Sequence, residues 1–452
     1  MGTIKAIFLV DGEHYPPVTL DAVRELAARR GWEPAALFFL GGTEKVAAGT
    51  VPDYAGLPVI FARDLPNDFD AALEDIGPRA VVDLSGEPVM DVELRFRLVA
   101  LALRRGADYY AADCEFRPPP RDALLQKPSI AVLGAGKRCG KTAVSAHLAR
   151  HLKGRGIGCA VVAMGRGGPP RPELLVPSSG GIDCDFLLAQ LERGRHAASD
   201  YIEDALIAGV PTVGCRRCGE GAAGAAFVTN FREGAALADG LEAELLVLEG
   251  SGAVVPPVRA DLSLLVVNAD RAPRELLEGP GAYRLLISDA VLITMCEGPG
   301  ADAERLARLE EGIKSVRKDI ALIRTVFRPF PLKPVEGRKI FLTCTAPAYA
   351  AGIMAEHLER EAGCKVVGWS NLLADRGRLE EDLERAGDFE VLLTELKAAA
   401  VDVAARWALR RGREVVFMHN RPVAARGERP GGVEGFFDEL LRRLPLAGER
   451  RR

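Results

Sequence analysis

Apolar residues along this 452-residue chain fall into two alternating patterns. Short continuous runs near 4–10, 35–40, 57–61, 80–84 and 107–112 read as buried strands, while 18–30 and 90–105 carry apolar positions at helical spacing. That alternation is the βαβ rhythm of a doubly wound parallel sheet, so the expected class is α/β. The rhythm stops at Arg117-Pro118-Pro119-Pro120-Arg121, where prolines deny ladder hydrogen bonds, and the first boundary is placed near 120–127. It restarts over 127–134 and continues through 159–165, 245–252, 262–269 and 290–296, each run ending in Gly, Asn or an acid. A second Pro-rich stretch, 327–334, precedes further strand-like runs at 339–344, 364–369, 390–395 and 414–419. Three units are therefore expected: 1–125, a core at 126–335, and 336–452 as an α/β extension of that core. In sheets of this kind ligands bind beyond the carboxyl ends of the strands.

Charge and length narrow the partners. With 59 Lys plus Arg against 63 Asp plus Glu, the net charge of −4 argues against non-specific attraction to nucleic acid or to an acidic membrane. The longest apolar runs stop short of the roughly 18 residues a membrane span needs. The N-terminal run leads into Asp11, Glu13 and His14 rather than a small-residue cleavage site, so it reads as a first strand. Nine cysteines, an odd number scattered through apolar stretches, fit a reducing compartment, with cytoplasm as the default. The basic tail Arg442, Arg443 and Arg450 to Arg452 reads as a solvated end.

The strongest chemical signal is Ile130-Ala-Val-Leu-Gly134-Ala135-Gly136-Lys137-Arg138-Cys139-Gly140-Lys141-Thr142, a strand running into a Gly-rich turn and then a helix. That order is the one a P-loop requires, because successive backbone N–H groups at a helix N-terminus can cradle phosphate oxygens. Gly136, Lys137, Arg138, Gly140, Lys141, Thr142 and Ala143 are the expected ATP contacts, with Lys141 on the β- and γ-phosphates and Thr142 on Mg²⁺. Ala135 stands where the strict pattern has glycine, and alanine tolerates a positive φ less well. About a hundred residues on, Leu245-Leu-Val-Leu-Glu249-Gly-Ser-Gly252 delivers an acid into a Gly-rich turn, so Glu249 is the second expected Mg²⁺ residue. Both motifs resemble the dethiobiotin synthetase group, although Lys137 falls one place past that group's second lysine.

Two further glycine-framed segments carry arginine, whose planar fork suits phosphate. One is Gly165-Arg166-Gly167-Gly168, the other Gly214-Cys215-Arg216-Arg217-Cys218-Gly219-Glu220-Gly221. Together they point to more phosphate than ATP alone brings. The C-x-x-C between them lacks the second Cys pair a structural zinc needs and the surroundings of a thioredoxin-like dithiol. His196, four residues before Asp200, is either a proton carrier or phosphate donor, or a structural imidazole at a helix start. Asp183 and Asp185 either assist Mg²⁺ or sit at a helix surface. Lys397 ends a strand and is the favoured substrate contact of the last unit, where Arg328 and Lys333 also lie in the Pro-rich stretch. The first unit offers Asp11, Glu13, His14, Glu44, Lys45, Asp83, Ser85 and Glu87 at its strand ends, too acidic for a second phosphate pocket to be natural.

Over nearly its whole length the chain resembles the cyclic 2,3-diphosphoglycerate synthetases, through GAGKRCGKTAVSAH, MGRGGPP, HAASDYIEDA, GCRRCGEG, IRTVFRPFPLKPVEGRK and LLTELKAAAVDVA. The resemblance implies a Rossmann-like N-terminal domain joined to a P-loop NTPase-like core with a parallel sheet, usually as a homodimer. It also implies an ATP-dependent ligase that closes 2,3-diphosphoglycerate into a cyclic pyrophosphate and releases ADP and phosphate. Lys141, Arg166 and His196 would then be catalytic, and Arg166, Arg216, Arg217 and Lys397 would hold the substrate. Two other readings of the same motifs are a kinase acting on 2-phosphoglycerate or a similar acid, and a nucleotide-driven switch of the partition-ATPase type.

Overall fold

The computed structural model describes residues 3–47, 50, 52–177, 182–270, 276–277, 279–298 and 301–444; Gly181 and the arginines at 450–452 lie outside them. The first sheet contains β1 (Ile4–Val10), β2 (Trp32–Phe39), β3 (Val59–Phe61), β4 (Ala80–Asp83), β5 (Asp108–Tyr110) and β6 (Glu115–Phe116). Their order is β3-β2-β1-β4-β5-β6, all parallel except the β5–β6 pair. The strand order reverses between β1 and β4, so Asp11 and Asp83 end neighbouring strands at the switch point.

The second sheet holds β7 (Ser129–Gly134), β8 (Cys159–Gly165), β9 (Glu173–Leu175), β10 (Thr212–Cys218), β11 (Val228–Thr229), β12 (Leu245–Glu249), β13 (Leu262–Asn268), β14 (Ala290–Thr294), β15 (Ala321–Pro331), β16 (Lys339–Thr343), β17 (Lys365–Ser370), β18 (Val391–Glu395) and β19 (Glu414–Ala424). Their order is β11-β10-β8-β12-β7-β13-β14-β15-β19-β18-β16-β17, with β9 on β10. The five strands from β8 to β14 in that order are mutually parallel. Every one of their residues is buried, which is why they read as unbroken apolar runs rather than alternating ones.

The second Pro-rich stretch, expected only to precede further strands, is itself largely strand. Residues 325–331 pair antiparallel with 418–424, so the last strands join the same sheet. Pro329 and Pro331 are tolerated because the register turns every second N–H away from β19, as the bond from Leu332 N to Phe417 O fixes. Past Arg324 the β14 pairing has ended, so the side that lacks an N–H donor faces no strand.

Candidate functional site

β7 lies between β12 and β13, so the P-loop and Glu249 emerge side by side, with Glu249 in register with Val132. The turn adopts left-handed backbone at Arg138 (φ 64°) and at Gly140 (φ 84°), not at Ala135. The missing glycine at 135 therefore costs no strain, and Ala135 N–H donates to Val266 O at 2.9 Å. Gly134 is the position where a side chain has no room: a Cβ there would lie 2.5 Å from the Gly252 carbonyl oxygen of the turn beside Glu249. Side chains ending β13 and β14 brace the loop, with Asn268 Nδ2 donating to Arg138 O (3.3 Å) and Thr294 Oγ1 to Cys139 O (2.8 Å). The ring of Phe327, from the Pro-rich strand, packs beneath Gly140. The helix that follows, Lys141–Gly154, begins with the buried Lys141 and carries Ala143, whose carbonyl accepts from His419 Nε2 at 3.1 Å. Burial pushes His419 down to about 3, so it is neutral and can donate.

Lys141 Nζ meets Glu249 Oε1, and the lysine and glutamate are 6% and 0% exposed. Burial opposes the charge on both groups, but their mutual attraction outweighs it. Glu249 is left below its ordinary range and Lys141 above. Thr142 lies beside the same carboxylate. The helix Asp200–Ala208 brings a third charged element to this floor. It is buried almost all round, and Asp200, Glu203 and Asp204, at i, i+3 and i+4, share a face. Burial, then the charge of Glu249, raises Asp200 and lifts Asp204 well above the usual carboxylate range. Burial likewise pushes Glu203 to about 7, against the pull of Lys397, whose Nζ lies 3.6 Å from Glu203 Oε1. Lys397 is held above its ordinary value chiefly by Glu203. Glu395, next to it, accepts from Thr345 and Asn420.

The arginine turns form the rim. Arg166 is exposed after β8, Gly165 lies against Asp200, and Gly167 lies against the ring of the exposed His196. β10 continues through Cys218, so this glycine-framed arginine pair lies on a strand, and Arg216 and Arg217 point to opposite faces. Arg217 is buried and donates to Gly219 O, Ser251 O and Glu220 Oε2 at 3.2, 2.9 and 3.0 Å. Arg166 reaches the same Glu220 oxygen at 3.4 Å, while Arg216 is exposed. Cys215 and Cys218 likewise face opposite ways about 10 Å apart along the strand, too far for a disulfide. Burial pushes the Cys215 thiol to about 12.

A cavity of about 460 Å³ opens between the P-loop and the Glu220 loop, lined by Gly136, Lys137, Glu220, Gly221, Ala253 and Arg284 among others. Sequence reasoning missed Asp204 and Arg284. The D-x-x-E-D spacing on an otherwise apolar helix was the available signal for Asp204; Arg284 has none. Asp183 caps the helix Cys184–Glu192 by accepting from Phe186 N–H. Arg328 is engaged by Glu297. Among the described residues no group of three or more His, Cys, Asp or Glu side chains is arranged to hold a metal, and no helix is long and apolar enough to cross a membrane.

Comparison with known proteins covers all three stretches. Residues 5–117, 129–326 and 331–421 match, in turn, the N-terminal, P-loop and C-terminal domains of cyclic 2,3-diphosphoglycerate synthetase. A protein of that name from Rubrobacter xylanophilus is 47% identical over 99% of both chains. One from Methanothermobacter thermautotrophicus is 43% identical over 93% of this chain and 92% of its own, and one from Methanothermus fervidus 42% over 97% of each. LpxK from Aquifex aeolicus, solved with ATP, matches 72% of this chain and 90% of its own at 14% identity and a TM-score of 0.41, too loosely to bear on function.

Proposed function

The chain belongs to the cyclic 2,3-diphosphoglycerate synthetase family, and from that premise we propose that it uses ATP to close 2,3-diphosphoglycerate into its cyclic pyrophosphate, as a phosphoanhydride-forming ligase. The observation that carries the reading at the level of residues is the cavity between the P-loop and the Glu220 loop. It adjoins Lys137 and lies beside a turn that gathers Arg166 and Arg217. Holding two phosphate groups next to a triphosphate is chiefly an electrostatic task, and fixed cations with backbone amides perform it without reorganising.

In the proposed sequence, an oxygen of one substrate phosphate attacks the γ-phosphorus of ATP in line, and the P–O bond to ADP breaks. An oxygen of the neighbouring phosphate then attacks the phosphorus of the first, and the transferred group leaves as inorganic phosphate. Tethering of the second nucleophile favours closure over hydrolysis. Lys141 would leave Glu249 for the phosphates, Arg166 and Arg216 would meet the substrate from the rim, and His196 would stand beside Arg166 as proton carrier. Arg217 would act by holding the rim to the Glu249 turn, and Lys397 by presenting charge to the acidic helix beside Glu203 and Asp200. Thr142 and Glu249 fit a divalent cation, since Mg²⁺ takes one or two protein oxygens together with phosphates. When bound it would neutralise charge developing between the β- and γ-phosphates.

We also retain a homodimer, a cytoplasmic setting and the three units 1–125, 126–335 and 336–452 as parts of this proposal. Incubation of the full chain with ATP, Mg²⁺ and 2,3-diphosphoglycerate, followed by ³¹P NMR, tests the chemistry. One ADP and one inorganic phosphate per cyclic product is the expected result. Phosphorylated product with ADP but no phosphate release would overturn it in favour of a kinase.

A further inference from the structure

Asp204 is fully buried, and among the described residues neither of its carboxylate oxygens has a hydrogen-bond partner other than the facing Glu249 carboxyl, whose Oε2 is likewise left to Asp204 and the neighbouring Thr142. The two carboxyl groups lie within hydrogen-bond reach of each other, with Lys141 on the remaining Glu249 oxygen. Buried polar groups without partners are uncommon, and each calls for an explanation. Asp204 is not on a loop that could swing it into water. It sits in the second turn of a helix packed on the P-loop helix, β8 and β10, so its carboxyl is held in place by the scaffold.

Counting charge shows what is missing. Here Lys141 supplies one positive charge against the Glu249 and Asp204 carboxyls, while Asp200, the third acid of this floor, also draws on Lys397. A P-loop lysine serves the β- and γ-phosphates, so once a nucleotide is bound Lys141 is drawn away and two facing carboxyls remain. A cation of charge +2 balances them, and Thr142 lies beside the Glu249 carboxylate. A second lysine does not fill the role, because Lys397 is engaged one helical position away by Glu203. We infer that Asp204 and Glu249 jointly form the seat of the divalent cation that accompanies the nucleotide, Asp204 being a ligand that the motif-based pair Thr142 and Glu249 leaves out. This inference rests on the proposed nucleotide site, and the two can fail separately.

The competing account is that Asp204 is only a neutral hydrogen-bond partner that packs against Glu249. Asp204→Asn separates the two, since asparagine keeps the shape and can donate to Glu249 but is a poor cation ligand. Asp204→Ser serves as a second variant, and thermal melting checks that both fold. The probes are Mn²⁺, followed by electron paramagnetic resonance with ADP present, and a fluorescent ATP analogue titrated with and without Mg²⁺. Both variants should bind the analogue in EDTA within about twofold of the parent. They should bind Mn²⁺ at least about tenfold more weakly and lose the Mg²⁺-dependent gain in analogue affinity. Unchanged Mn²⁺ affinity would overturn the assignment while leaving the P-loop reading intact, as would an equal loss of metal-free and metal-dependent binding. A parent chain that binds no analogue under either condition would sink the nucleotide site itself and this inference with it.

Discussion

Asp83 ends β4 of the first sheet and Glu249 ends β12 of the second, both almost wholly buried at the carboxyl ends of parallel strands. Asp83 accepts from Ser85 N–H and Oγ on one oxygen and from Arg95 Nε and Tyr109 OH on the other, at 2.9, 2.5, 2.9 and 2.7 Å. Its neighbour Asp11 accepts from Glu13 N–H, Gly86 N–H and His14 Nδ1 at 3.0, 2.8 and 2.7 Å. Glu249 has a single lysine and faces Asp204, which among the described residues has no side-chain or backbone partner besides Glu249 itself. The same strand-end position thus carries a saturated acid in one sheet and an unsaturated one in the other. Saturated acids fasten loops; acids left without donors in a dry, scaffold-held position are available to a ligand.

The largest effect should come from Lys141→Ala, which removes the lysine paired with Glu249. Turnover should fall by at least about 10³-fold and nucleotide binding should disappear with it, because the lysine serves both. Retained turnover would place the chemistry elsewhere and dissolve the contrast between the sheets. Glu249→Gln should lower kcat by about 10²-fold and shift the Mg²⁺ dependence to higher concentration. An unchanged metal response would return Glu249 to the class of structural acids.

On the saturated side, Asp83→Asn turns one oxygen into a donor that must face Ser85 N–H or the Arg95 and Tyr109 donors. A loss of about 2 kcal/mol in unfolding free energy is expected from urea titration, with kcat and KM of the folded fraction unchanged. Loss of turnover in a chain that still folds would show the first sheet to be part of the reaction centre. A smaller effect tests the rim. Arg216→Glu should raise KM for the diphosphate about tenfold with little change for ATP, whereas Arg217→Glu, which buries a carboxylate among carbonyls, should first appear as lost stability. Equal effects of both substitutions on KM would mean that their opposite orientations on β10 are irrelevant to substrate.

Much of this was legible in the chain. The β7, β8, β12, β13 and β14 runs are continuous because both faces of their sheet are covered, and the P-loop and Glu249 announce themselves by glycine spacing after those runs. What stayed hidden depends on tertiary placement. Arg216 and Arg217 look like a double clamp until strand pairing through Cys218 sends them apart. Pro329 and Pro331 look like a domain break until the antiparallel register turns their missing donors outward. For Asp204 the D-x-x-E-D spacing on an apolar helix was the one hint, and it becomes decisive only once the whole helix is known to be buried, which is a property of what packs on it.

The smallest test asks whether saturation, rather than membership of one sheet or the other, is what separates the two classes. Glu434, on the C-terminal helix Gly432–Leu441, is an acid that one oxygen, Oε1, ties to both a histidine of the P-loop helix and an arginine. It accepts from His147 Nε2 at 3.2 Å and from Arg421. The His147 hydrogen bond is the main reason its carboxyl drops from its ordinary 4.5 to about 2. A depressed acid adds stability that is complete above its unfolded pKa and is lost as pH falls from 4.5 toward 2. With Glu434 about a third exposed (35%), solvent screening limits the contribution to about 1 kcal/mol. Glu434→Gln should therefore lower unfolding free energy by about that much at pH 7, with the gap to the parent shrinking as the titration is repeated toward pH 3, and should leave turnover untouched. A large catalytic loss from an acid so engaged, 287 residues from His147 in sequence yet anchored to the phosphate helix, would mean that hydrogen-bond saturation does not sort structural carboxylates from working ones in this protein.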